Sequence, residues 1–277
     1  MDNKKILIAT DFSQKSFKII EQVLHYIEDK SSELFILHIV ETSIFSQIKD
    51  IKAISENSFS ILKKDLPTIK RSQFYCVEGK ISEQVSMFVI QHNISLVVLG
   101  NSGERSHINK FLLGSNTKNI VKNSNMPSLI IKSNQALKFN TIMIPTDLSQ
   151  ESKEFIFEVA EFFSYSAIRL FYSYTIPFEN RLNFYGMNKD QMELFQKDIK
   201  RIAVTEAQDF FDTINVKNEI SFITKEGSLD AEDFAQEANE LKCDLIAVHT
   251  RGNFSFFAFD LVEHSRKNIL IKKVDTI

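Results

Sequence analysis

Two tandem α/β domains, each a parallel sheet of five strands wound on both faces by helices, are predicted from three observations. The chain has 277 residues, roughly twice the commonest domain size of about 100–150. It repeats itself: Ile6-Leu7-Ile8-Ala9-Thr10-Asp11-Phe12-Ser13-Gln14 returns as Ile142-Met143-Ile144-Pro145-Thr146-Asp147-Leu148-Ser149-Gln150, an offset of 136, and Ser16 matches Ser152. Short apolar runs also alternate with helix-periodic segments, a pattern that right-handed crossovers turn into a doubly wound layer.

In the first half, Lys5–Thr10 reads as a strand, and Phe17, Ile20, Val23, Leu24 and Ile27 keep helical spacing behind it. Glu33–Val40 is the second strand, followed by a longer apolar-periodic segment from Phe45 to about Leu66 that Pro67 stops. Gln73–Glu78 is the third strand, Ile81, Val85, Phe88 and Val89 mark a helix, and Leu96–Leu99 and Ser128–Lys132 complete five strands. These runs are β-branched or continuously apolar, as strands covered on both faces should be.

The second half echoes the same order. Lys225-Glu226-Gly227 answers Val77-Glu78-Gly79, and Asp244-Leu245-Ile246-Ala247 answers Ser95-Leu96-Val97-Val98. The boundaries follow as 1–135 and 138–277, with the joining segment from Gln135 to Asn140 too short and too poor in Gly and Pro for a free linker. Ser128–Lys132 and Ile269–Lys273 end the halves as edge strands, and exposed edges tend to be paired. An antiparallel pairing between them within one chain, an intrachain pseudo-dimer, is therefore expected.

Composition excludes several classes. The chain is 43% hydrophobic and 25% charged with a formal net charge of −3, which argues against nucleic acid as a partner. No apolar stretch approaches the ~18–20 residues of a membrane span, so no membrane association and a cytoplasmic location are expected. Cys76 and Cys243 lie far apart in apolar contexts and read as buried thiols, and the six histidines show no metal-ligand spacing.

The chain has only seven glycines, against a usual share of roughly 7%. Three of them, Gly100, Gly103 and Gly114, fall within fifteen residues directly after Leu96–Leu99. That placement suits a strand opening into a phosphate-sized loop. Backbone without Cβ lets N–H groups approach an anion, and Ser115 would cap a helix whose N-terminus favours negative charge. Neither Gly-x-x-x-x-Gly-Lys-Ser/Thr nor Gly-x-Gly-x-x-Gly occurs, which removes the main signal for a P-loop hydrolase or a dinucleotide dehydrogenase.

The opening Ile8-Ala9-Thr10-Asp11-Phe12-Ser13, the segment Leu37-His38-Ile39-Val40 and the glycines before Gly114-Ser115-Asn116-Thr117 resemble the universal stress protein family, in two tandem copies over nearly the whole chain. The resemblance implies a Rossmann-like fold of the adenine nucleotide alpha hydrolase-like type and pairing of domains through their last strands. In a subset of members it also implies ATP, with Mg, held by the glycine loop. The contacts it carries over are Ala9, Thr10, Asp11, Ile39, Leu99, Gly100, Gly103, Gly114, Ser115 and Asn116, with Asp11 on the ribose hydroxyls or a metal and Ile39 on adenine through its backbone. The subset's spacing of nine residues is here ten, Glu104 to Leu113. Asp11 also reads as an Asx-turn closing on Ser13, and Gly114-Ser115 as a plain helix start.

The second half departs further. His249 stands where Gly100 stood, Gly252 keeps the second glycine, and about eight residues including the Gly-Ser helix start are missing. In their place runs Asn253-Phe254-Ser255-Phe256-Phe257-Ala258-Phe259, which reads either as filling of the vacated volume or as an apolar surface for a protein partner or self-association. The sequence therefore predicts a regulatory module that binds adenine nucleotide through its first domain only, with no catalytic residues. The alternatives are a nucleotide-free interaction scaffold and a slow ATP hydrolase.

Overall fold

The computed structural model describes residues 1, 3–41, 50–100, 115–123, 126–177, 186–251 and 256–274. The first half runs β1 (Lys5–Thr10), α1 (Gln14–Ile27), β2 (Glu33–Val40), α2 (Ile51–Asp65), β3 (Phe74–Glu78), α3 (Ile81–His92), β4 (Leu96–Gly100), α4 (Ser115–Asn123) and β5 (Ser128–Ile131). The second runs β6 (Thr141–Pro145), α5 (Gln150–Phe162), β7 (Ala167–Tyr174), α6 (Lys189–Asp212), β8 (Ile220–Glu226), α7 (Ala231–Glu240), β9 (Leu245–Arg251), α8 (Phe256–His264) and β10 (Asn268–Val274). Strand ends differ from expectation by one residue at five places, two of them in β10, which runs Asn268–Val274 and not Ile269–Lys273. Gln73 closes a short 3-10 turn before β3, β4 runs on to Gly100, and β5 stops at Ile131.

Among the described residues, ten strands form one sheet in the order β3-β2-β1-β4-β5-β10-β9-β6-β7-β8. Pairing is parallel within each half, and each half winds outward from its first strand in the same order. The halves meet at β5 and β10, which pair antiparallel through Ile130↔Ile269, Leu129↔Leu270 and Ser128↔Ile271. The two edge strands thus cover each other, as the repeat required.

The core is divided by face of the sheet rather than by half. Strand residues alternate: Ile6 and Ile8 join one cluster with Ile20 of α1, Ile142, Phe155 of α5 and Leu270. Leu7 points to the other, with Val85 and Phe88 of α3, Ile120 of α4, Phe234 of α7 and Leu261 of α8. Each layer runs across the seam, so neither half closes its hydrophobic core alone. At about 25 cal/mol per Å² of apolar area, this shared burial is the main force holding the halves together.

The expected longer segment from Phe45 is described from Asp50 onward, where the Asp50 carboxylate caps α2 by accepting from Lys52 and Ala53 N–H; residues 42–49 lie outside the described set. Phe254 also lies outside it. Phe257 and Phe259 are partly buried and pack on the core. The Phe257 ring meets Phe234 at 6.0 Å, and the Lys118 and Lys122 ammonium groups of α4 sit 5.5 and 5.3 Å from the Phe259 ring. These two rings fill volume between α4, α7 and α8, the first of the two readings of this run.

Candidate functional site

The Thr-Asp-x-Ser sequence builds the same strand-to-helix turn twice. Thr10 Oγ1 accepts from Phe12 N–H at 3.1 Å, and the Asp11 carboxylate accepts from Ser13 N–H at 3.0 Å. The Ser13 hydroxyl then caps α1 by accepting from Ser16 N–H at 3.2 Å. In the second half, Thr146 Oγ1 accepts from Leu148 N–H at 3.0 Å, Asp147 from Ser149 N–H at 3.1 Å, and Ser149 from Ser152 N–H at 3.2 Å. This bonding holds Phe12 and Leu148 at φ of 62° and 61°, a left-handed conformation costly for large side chains.

Ala9 and Thr10 end β1 and Asp11 follows it, Ile39 lies near the end of β2 opposite Val77, and Leu99 and Gly100 end β4 opposite Ile130 and Ile131. Because β1 lies between β2 and β4, all six meet at the carboxyl edge of the first half, where open α/β sheets take ligands. Ala9 and Ile39 pack partly against the core, and Leu99 is buried. Ser115 and Asn116 open α4; Gly103 and Gly114 lie outside the described residues. The Thr117 hydroxyl donates to Gly100 O at 3.2 Å, tying the first turn of α4 to the end of β4. A Cβ at Gly100 would press on Ile19 Cδ1 of α1 at 3.1 Å, so this glycine also serves the close approach of helix and strand.

Asp11 is pulled two ways: burial pushes its carboxyl up, but hydrogen bonds from Ser13 and Ser16 leave it below the ordinary value. It is ionised and its turn bond is satisfied, which supports the Asx-turn reading directly. His38, at the register position beside Thr10, donates from Nδ1 to Thr10 O at 3.0 Å and meets the Phe12 ring edge-on at 4.7 Å. It orients the end of β1.

At the matching edge of the second half, His249 of β9 takes the place of Gly100. Its Nε2 lies 2.9 Å from the Ser152 hydroxyl, which is itself 2.6 Å from Asp147 Oδ1. The Ser149 hydroxyl donates to the same carboxylate oxygen at 2.5 Å, and the imidazole stands 5.5 Å from the Phe155 ring. Burial raises the Asp147 carboxyl, but Ser149, Ser152 and then His249 outweigh it and hold it low. Sequence spacing placed His249 opposite Gly100 but missed this array. Its signal was the coincidence of His249 with the repeated Ser152, one turn past Asp147.

Among the described residues, no group of three or more His, Cys, Asp or Glu is placed to hold a metal ion, and no helix is long and apolar enough to cross a membrane. Cys76 is partly exposed and Cys243 buried, both as free thiols.

Comparison with known proteins supplies the relationship. A family model described as the universal stress protein family matches residues 2–132. The universal stress protein MJ0577 of Methanocaldococcus jannaschii is 25% identical over 154 residues, covering 47% of this chain and 94% of that protein. A universal stress protein of Archaeoglobus fulgidus, solved by crystallography, aligns over 99% of both chains with a TM-score of 0.66 at 17% identity. PA1789 of Pseudomonas aeruginosa, described as functionally unknown, covers 98% of this chain and 92% of its own, with a TM-score of 0.63 and 11% identity. The last two establish the likeness of fold along the whole length.

Proposed function

Residues 2–132 match the universal stress protein family model, and we propose that the chain is a regulatory protein of that family that binds an adenine nucleotide, ATP with Mg, through its first domain only. In this reading domain 1 comprises residues 1–135, and domain 2, residues 138–277, is a partner that has lost the site. The observation that carries it is the contrast at one topological position. Gly100 ends β4 with no side chain, tied to the first turn of α4, whereas His249 fills the equivalent place and is engaged by Ser152.

The residues fit a phosphate group in kind. A helix start supplies unpaired backbone donors and a favourable dipole for an anion, and α4 begins beside the glycine-ended strand. Asp11, ionised at the rim, has the charge to accept from ribose hydroxyls. The nucleotide would supply binding energy, and no side chain at this edge is assigned to bond cleavage. Self-association of whole chains and a protein partner belong to the same proposal as the readout of the bound state.

Mass spectrometry of nucleotide released on denaturing the purified protein tests the reading, with Gly114→Asp prepared in parallel. Adenine nucleotide near one per chain, absent from the variant, is the expected result. No release from either protein, together with no ATP-induced shift in melting temperature, overturns it.

A further inference from the structure

A cleft of about 580 Å³ opens at the carboxyl edge of the second half, between the β6–α5 turn and the end of α6. That volume lies within the range of about 300–1,000 Å³ typical of small-molecule sites. Leu148, Lys153 and Tyr172 line one side, and Glu206, Asp209 and Phe210 of α6 line the other. The cleft sits on the face of the sheet that α5 covers. The phosphate contact proposed for the first half lies at α4, on the opposite face, so the two sites are different in kind.

The repeat shows what opens the cleft. At the offset of 136, Leu148 and Lys153 stand where the first half has Phe12 and Phe17. The registers Ile8↔Ile36 and Ile144↔Leu170 put Tyr172 where the first half has His38. In the first half these places close on one another, the Phe12 ring meeting Phe17 at 5.8 Å and His38 at 4.7 Å. Leucine and lysine in place of the two phenylalanines remove that packing. The strand partners Phe74 and Phe222 occupy matching registers, and each meets one ring of the helix before it, Phe59 and Phe211. Aligned on those pairs, Glu206 and Asp209 take the places of Ile54 and Asn57. Space and two carboxylates therefore arrive together at one spot.

Asp147 also lines the cleft, so three carboxylates face the single ammonium of Lys153, which stands 6.0 Å from the Phe157 ring. The cleft extends to Thr213, the C-cap of α6, where the negative end of the helix dipole attracts a cation. Burial, then the Glu206 carboxylate, raises the Tyr172 phenol above its ordinary value, which sets that carboxylate beside the hydroxyl. Phe210 and Tyr172 supply aromatic rings, which also attract ammonium groups.

We infer that this cleft binds a small organic cation, a linear aliphatic polyamine whose ammonium groups pair with Glu206 and Asp209 while its methylene chain lies against Leu148 and Phe210. A bare metal ion would leave most of the volume unfilled, and among the described residues no group of three or more His, Cys, Asp or Glu is placed to hold one. An elongated amine uses both the charge and the apolar wall. The inference stands whether or not the first half binds nucleotide.

The test is calorimetric titration of spermidine, and separately of MgCl2, into the full chain at about 0.15 M salt, where diffuse attraction is screened. Wild type is expected to saturate near one spermidine per chain. Glu206→Gln with Asp209→Asn should weaken binding by about tenfold or more, the scale of a lost charge-assisted contact. Leu148→Phe returns a first-half ring to the cleft with every charge kept, and should weaken binding to a similar degree. Phe12 and Leu148 share a φ near 60°, so this variant should melt no lower than wild type; if it does, the double neutralisation decides alone. Glu232→Gln with Glu240→Gln makes the same charge change at exposed positions on α7 and should leave affinity within about twofold. No saturable spermidine binding overturns the inference. So does equal weakening by the α7 pair, which would mean diffuse attraction to an acidic surface, and so does Mg²⁺ binding as tight as that of spermidine, which would assign the cleft to a metal ion.

Discussion

At the scale of single residues, opposing terms decide what a substitution does. Phe12 sits at φ 62°, so glycine there would relieve roughly 1 kcal/mol of left-handed strain. Its ring, however, packs against Phe17, His38 and Phe74 with centroids 4.7–6.2 Å apart, and removing a half-buried phenylalanine costs on the order of 2–4 kcal/mol. Phe12→Gly should therefore destabilise by about 1–3 kcal/mol, read as a lower urea midpoint; a stabilised variant would mean that strain outweighs packing. Lys132 gives a pH signature. Its folded pKa of about 7 lies below the ordinary 10.5, so between those values the unfolded chain holds a proton that the folded chain has released. Stability from this group is absent at and below about pH 7 and grows as pH rises toward 10. Urea midpoints at about pH 7 and pH 9 should separate wild type from Lys132→Met in that direction, and a difference independent of pH would contradict the assignment.

Elements show how much of the molecule was legible beforehand and where reading stopped. Strand-to-helix turns are local chemistry: Thr, Asp and Ser bond backbone groups two or three residues away, so the repeat announced a strand running into a helix in each half and the Asx-turn at Asp11, while the caps at Ser13 and Ser149 came from the structure. Strand ends were off by one residue because they depend on neighbours, as with Gln73, drawn into a 3-10 turn, or Gly100, kept in β4 by pairing with Ile131. The Asp147–Ser152–His249 array was invisible because its members stand up to 102 positions apart in the chain and meet only when β9 lies beside β6. For α5 the array makes a prediction: Ser152→Ala leaves the Asp147 carboxylate and the His249 ring each without a bond at this hydroxyl. It should cost about 1–3 kcal/mol, more than Ser16→Ala, where the Ser16 hydroxyl meets Thr10, Ser13 and Asp11 but no imidazole. Equal costs for the two variants would argue that the array adds nothing beyond the common turn.

For the whole molecule, the fold class followed from the repeat and the alternation of periods, and the seam followed from the need to cover two sheet edges. The sharing of each hydrophobic layer across that seam did not follow, since it depends on which face each helix covers. With Ile130 and Ile269 fully buried in register, Ile269→Asp places a charge among apolar neighbours and should cost more than about 4 kcal/mol. Because the layers are continuous, calorimetry should record one cooperative transition in wild type, in contrast to two separable melts for independent domains.

The antiparallel seam also sets an order of events in folding. Ser128 must wait for Ile271, its partner 143 positions later in the chain, so the loop that joins them is among the most expensive to close and the contact among the last to form. During synthesis the first half reaches its fifth strand long before the tenth exists, and β5 spends that interval as an open edge. Its brevity, four residues, limits what a neighbouring nascent chain could pair with. The strand that joins the halves is thus also the one whose length is constrained by the time it spends alone.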